Sequence, residues 1–191
     1  MPSTTCQTPR WGRCARAIDQ VLRGHEPYPA VVIDRHWGMV SANSAVPMLI
    51  EGVAEHLLEP PVNVLRLSLH PTGMAPRIVN LGEWRAHLLD RLGREAVVTG
   101  DPALAALHEE LADCPGGEEP GHVPDLEAGQ IAVPLRLRVD DAELSFISTA
   151  TTFGTAVDIT VSELSIESFF PADEETAEFI RSWTERSDAA G

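Results

Sequence analysis

The sequence predicts an α+β domain, and three observations predict it. Two short strand-like runs come first, at 30–34 and 37–43. Amphipathic helical patterns fill the middle, most clearly at 82–97, and alternating runs follow from 131 to 170. With 191 residues, 43% of them hydrophobic, the chain can bury one sizeable core.

Taken in order, Cys14, Ala15, Ile18, Val21 and Leu22 recur at helical spacing, so 13–23 reads as a short amphipathic helix that Gly24 and Pro27-Tyr28-Pro29 terminate. The compact run Ala30-Val31-Val32-Ile33-Asp34, a turn at Arg35-His36 and the run 37–43 read as two strands of a hairpin. Asn43 or Ser44 is the N-cap expected for a helix reaching Leu49, with Pro47 in its first turn. Residues 62–70 fit both periods: Leu65, Leu67 and Leu69 alternate, while Val62, Leu65 and Leu69 fit a helix.

Between 82 and 97, Trp84, Leu88, Leu92 and Ala96 form one stripe opposite Glu83, Arg85, Asp90, Arg91 and Glu95. Asp101-Pro102 supplies an N-cap and a first-turn proline for a second helix through Leu104, Leu107, His108 and Leu111 to about Cys114. The glycine-, proline- and acid-rich run 115–130 reads as a mobile loop. Strands are then expected at 131–139, 144–152, 157–161 and 164–170, the first two joined by a turn at Asp140-Asp141, with Leu144 and Phe146 facing one way. Asp173 or Glu174 opens a last helix carrying Thr176, Ala177, Ile180 and Trp183.

Composition removes several function classes. Twenty-nine acidic residues against fourteen basic ones give a net charge of −15, the wrong sign for approaching phosphates, so DNA binding by this chain itself is not expected. Every basic residue is arginine, which removes lysine Schiff bases and Walker A loops. Three widely spaced cysteines do not form a disulfide framework, and the seven histidines show no zinc spacing, so no metal and no cofactor are expected. No apolar run is long enough for a membrane span and no secretory core opens the chain, which places it in the cytoplasm.

A hairpin, a helical middle and an antiparallel meander is the order of a PAS-like domain, whose sheet and helices enclose an apolar cavity. Five stretches resemble the ligand-binding domain of MmyB-like transcription regulators. They are Pro29-Ala30-Val31-Val32-Ile33-Asp34-Arg35-His36-Trp37, Asn63-Val64-Leu65-Arg66-Leu67-Ser68-Leu69-His70-Pro71-Thr72-Gly73, Asn80-Leu81-Gly82-Glu83-Trp84-Arg85-Ala86-His87-Leu88-Leu89, Ser148-Thr149-Ala150-Thr151-Thr152-Phe153-Gly154-Thr155 and Glu163-Leu164-Ser165-Ile166-Glu167-Ser168-Phe169-Phe170-Pro171-Ala172-Asp173. The resemblance implies a small-molecule sensor, with a fatty acid or similar apolar ligand, that follows a helix-turn-helix of the XRE type. Only about two dozen residues precede Glu26, too few for the several helices of such a reading head, so DNA is expected to be reached only through a domain this chain lacks. The organisation that follows is an N-terminal segment at 1–25 with a linker helix, a ligand-binding domain at 26–185 and a disordered tail at 186–191. A homodimer is the expected assembly, since such regulators read two-fold sites.

The ligand-binding residues expected on this reading are Leu65, Arg66, Leu69 and His70, then Trp84 and Leu88, then Phe146, Thr149 and Thr151. Arg66 and His70, four apart, share a face if their segment is helical and could anchor a carboxylate; the plainer explanation of Arg66 is an ion pair, for instance with Glu167 or Asp158. Thr149 and Thr151 offer hydroxyls, though threonine is also simply a good strand former. Trp37 and Trp84 read first as core and second as cavity wall, and Cys114 as inert. The rivals are a hydrolase using His70 with an aspartate and a serine, for which no GxSxG or HExxH motif speaks, and a ligand-free dimerisation module.

Overall fold

The computed structural model describes residues 8–116, 132–152 and 163–190, and among these the side chains of residues 15–186. The strand expected at 157–161 and most of the loop expected at 115–130 lie outside the described residues. The elements are α1 (Thr8–Gly24), β1 (Ala30–Ile33), β2 (Met39–Ala42), α2 (Val46–Ile50), α3 (Glu55–Leu58), α4 (Val64–Leu69), α5 (Leu81–Thr99), α6 (Pro102–Ala112), β3 (Leu135–Val139), β4 (Ala142–Thr152), β5 (Ser165–Pro171) and α7 (Glu174–Ala190). A 3-10 turn at Ala75–Arg77 joins α4 to α5.

The five strands form one antiparallel sheet in the order β2-β1-β5-β4-β3. The hairpin sits at one edge and the meander at the other, joined through β1 and β5 at the centre, which is the α+β, PAS-like arrangement the element order predicts. One sheet face is covered along its length and the other only over β1 and β5, and period 2 sorts the strand residues between them. Ala30, Val32 and Ile166 face α1, where Ile18 and Leu22 cover them together with Leu164. The opposite face carries Val31, Ile33, Leu135, Leu137, Leu144 and Phe146 into the main core, against Leu65 and Leu67 of α4 and Trp84, Leu88 and Leu92 of α5. Helix α6 packs on α5 through Leu104, Leu107 and Leu111.

The ambiguous segment 62–70 is helical, and its cap decides it. The Asn63 side-chain oxygen accepts from the backbone N–H groups of Leu65 and Arg66, both at 3.1 Å, satisfying donors that a strand would not present together. Asp101 caps α6 as its sequence predicts, accepting from Ala103 N–H at 2.8 Å. Asn43, expected as a helix cap, instead bonds elsewhere: its amide donates to the Tyr28 carbonyl at 2.8 Å and its oxygen accepts from Ala30 N–H at 3.1 Å. It ties the chain entering β1 to the end of β2, and α2 begins without a side-chain cap. Gly73 is required where it stands, because a Cβ there would fall 2.3 Å from the Leu67 carbonyl oxygen.

A cavity closed by a tryptophan, an arginine and two carboxylates

Between the inner sheet face and the helices lies an apolar cavity of about 70 Å³. The cap at Asn63 aims Leu65 and Ser68 of α4 into it, and α5 contributes Trp84, Leu88 and Arg91. From the sheet come Val31, Ser148, Glu167 and Phe169, and Met39 and Met74 close the sides. The few polar groups are placed by specific bonds. The buried Trp84 indole N–H donates to the Ser68 hydroxyl at 3.0 Å, so neither the indole nor the serine is left unsatisfied.

Arg91 is held from three directions. Its guanidinium donates to Glu167 at 2.6 Å and, through Nε, to Glu95 at 3.3 Å, and its carbon stands 4.4 Å from the centre of the Trp37 ring. Glu95 also accepts from the Trp37 indole N–H at 2.9 Å, which closes a ring of contacts among the three side chains. Burial works against the Arg91 charge, but the hydrogen bonds and proximity of Glu167 and Glu95 outweigh it and hold its pKa above the ordinary arginine value. Glu167 is only 8% exposed.

Trp37 has a backbone cost to set against these contacts. Its φ is 63°, a left-handed conformation that bulky residues rarely adopt. The β1–β2 turn imposes it: Asp34 accepts from the N–H groups of His36 and Gly38, and Trp37 N–H donates to the Asp34 carbonyl. A glycine would fit the turn without strain, yet the position carries the largest side chain, 3% exposed, as a wall of the cavity. Beyond Trp37 and Arg91, which line both, opens a groove of about 300 Å³ with Asp34, Arg35, Glu95 and Glu163 at its rim.

The expected ligand residues separate into three groups. Leu65, Trp84 and Leu88 line the cavity. Leu69 and Phe146 are buried in the core without lining it. Arg66, His70, Thr149 and Thr151 are not brought to it. On helical α4 the first two do share a face, but it is the outer one. Arg66 there makes a two-bonded ion pair with Glu110 at 2.7 Å rather than with Glu167, and Asp158, the other expected partner, lies outside the described residues. His70 accepts at Nδ1 from Thr72 N–H at 3.1 Å, fixing the turn after α4. Thr149 and Thr151 pair with Ser168 and Ile166, on the α1 side of the sheet, because strand parity puts Ser148 and not its neighbour inward.

Sequence reasoning missed Arg91 and Glu167, and a signal for Arg91 existed. It lies seven residues after Trp84 and three after Leu88, on the stripe rather than on the polar face to which its charge assigned it. Cys114 is partly buried, and burial together with Glu110 pushes its thiol pKa up, which suits an unreactive side chain. Among the described residues no three histidines, cysteines or carboxylates gather as a metal site, and no helix is long and apolar enough to cross a membrane.

A family model described as the MmyB-like transcription regulator ligand binding domain matches residues 14–182. No curated protein matches the sequence.

Proposed function

The chain belongs to the MmyB-like transcription regulator ligand-binding domains, and from that premise we propose that it is the sensor of a regulator, taking a fatty-acyl or similar apolar small molecule into the cavity between the sheet and helices α4 and α5. The observation that carries this reading is the lining: five leucines, two tryptophans and two methionines, with only four polar side chains, Ser68, Arg91, Ser148 and Glu167, among them. A site of that composition binds by excluding water and is poorly supplied for turnover.

At about 70 Å³ the cavity is narrower than the ~300–1,000 Å³ of ordinary ligand pockets, so an acyl chain has to widen it. Met39 and Met74 are the adaptable members of the wall, and Ile50 and Val64 beside them are only half-buried. Entry of the chain then displaces α2 and α4 from the sheet, and this displacement is the signal passed on. DNA contact belongs to a helix-turn-helix domain and not to this acidic surface, and the sensor acts as a homodimer, which light scattering across a wide concentration range checks.

Thermal unfolding with added methyl decanoate and longer acyl esters tests the reading. A ligand that binds only the folded state stabilises it by about 2.7 kcal/mol at a hundredfold excess over Kd, which at about 2–4 °C per kcal/mol raises Tm by roughly 5–11 °C. No rise with any acyl probe, or steady consumption of one, refutes it.

A further inference from the structure

We propose that the head group of the long-chain ligand is uncharged, an ester, amide or alcohol, and that the Arg91–Glu167 pair is the element that rejects a free carboxylate. The inference rests on the cavity being an acyl site, as proposed above, and adds the class of head group.

Among the described residues lining the cavity, Arg91 is the one cation. A ligand carboxylate drawn into apolar surroundings needs a cation to offset its desolvation. Arg91 is already committed to Glu167 and Glu95 and lies over Trp37. Two carboxylates on one guanidinium leave that part of the wall net negative, so a third meets repulsion. Recruiting Arg91 away would strand Glu167, which is 8% exposed, as an unpaired buried anion.

Among the described residues, the groove beyond Trp37 offers no substitute. Its other arginine, Arg35, is paired with Glu163 at 3.3 Å, and Asp34 and Glu95 add further negative charge. Arg66, the arginine nearest in sequence to the cavity residues of α4, is held outside by Glu110. A neutral head escapes all of these penalties. The Ser68 hydroxyl, having accepted from Trp84, keeps its own hydrogen to donate, and Ser148 lines the cavity from the sheet. A carbonyl or hydroxyl oxygen can take such a bond without disturbing a charge. Discrimination here comes from what the site repels as much as from what it bonds.

The test is a matched series of ten-carbon probes, decanoic acid, methyl decanoate, decanamide and decan-1-ol, titrated calorimetrically into the full chain at pH 7.5. The three neutral probes are expected to bind at least about tenfold more tightly than the acid, a difference of about 1.4 kcal/mol. In Glu167→Gln, where Arg91 loses one anionic partner, affinity for the acid relative to decanamide should rise by about tenfold or more. Equal or tighter binding of the acid by the wild-type chain overturns the proposal. A Glu167→Gln chain that still rejects the acid overturns the role given to Glu167. Binding of none of the four probes overturns the acyl reading itself. The wild-type ratio decides without the variant, should Glu167→Gln fold poorly.

Discussion

Two Arg–Glu pairs of similar length stand in different surroundings, and removing one carboxylate from each should have different consequences. Arg66 and Glu110 make two bonds of 2.7 Å, but the side chains are 42% and 46% exposed. Solvent screens such a pair, so Glu110→Ala should cost at most about 1 kcal/mol. Arg91 and Glu167 meet at 2.6 Å with exposures of 26% and 8%. Stripping one partner from a fully buried pair costs about 3–5 kcal/mol. Arg91 keeps Glu95 at 3.3 Å and some contact with water, which reduces the expected loss for Glu167→Ala to about 2–4 kcal/mol, still well above the surface pair.

Urea unfolding at pH 7 measures both, and salt separates them further. In 1 M NaCl the screening length falls to about 3 Å, so whatever Glu110 contributes should largely vanish while the Glu167 contribution persists. In Tm the contrast is at most about 4 °C for Glu110→Ala against roughly 4–16 °C for Glu167→Ala. Equal costs, or a Glu167 effect that salt abolishes, would show that Arg91 is solvated and that this wall of the cavity is open. The reasoning about head-group charge would fall with it.

Two further outcomes follow from single contacts. Asn63→Ala removes the two cap bonds to α4 and the bond of the Asn63 amide to the His36 carbonyl at 2.9 Å; a loss of about 1–2 kcal/mol in thermal unfolding is expected, and an unchanged Tm would show that tertiary packing alone sets this helix. Burial, reinforced by the charges of Arg91 and Arg94, holds the His87 pKa below the ordinary histidine value. The unfolded chain therefore takes up this proton first, and the stability tied to neutral His87, complete above about pH 6.5, is lost as pH falls through the folded-state pKa. Urea midpoints between pH 7.5 and 5 should decline less steeply in His87→Gln than in the wild type, and parallel declines would refute the assignment.

Helix α5 was legible because a long amphipathic element repeats its message: Trp84, Leu88 and Leu92 are buried and the exposed side is charged. Helix α4 was not, for a physical reason. Of its six residues, Leu65, Leu67, Ser68 and Leu69 are all buried, so it lacks the polar stripe that gives a helix its period. The deciding information lay in the side-chain bonds of the cap residue Asn63, to which a count of apolar spacings is blind. The N-terminal helix and the last helix also extend further than their apolar residues indicated, to Thr8–Gly24 and Glu174–Ala190, since helix ends are set by capping and fraying more than by burial.

The site was less legible than the fold because a cavity is a relation between elements, and neighbourhood along the chain is a poor guide to it. Arg66 stands among leucines yet points outward; Arg91 stands beside Asp90 and near Arg94 and Glu95 yet reaches the cavity. On α5 a position seven after Trp84 and three after Leu88 shares their face, which places Arg91 on the cavity side; α4 buries Leu65, Leu67, Ser68 and Leu69 together and leaves Arg66 as the exposed position among them. Strand parity does the same on β4, where the inward phase of Leu144 and Phe146 continues to Ser148 and leaves Thr149 and Thr151 outside. Extending the phase of Leu144 and Phe146 along β4 selects Ser148, whereas the phase of α5 admits Arg85 and Glu95 as well as Arg91 and does not single out the one that reaches the cavity. Glu167 is harder to read, because its pairing with Val31 and Ala150 depends on a register between strands far apart in sequence. A carboxylate buried at the junction of β1, β5 and β4 becomes tolerable only once α5 has brought Arg91 over it, so sheet and helix must assemble together for that charge to be stable.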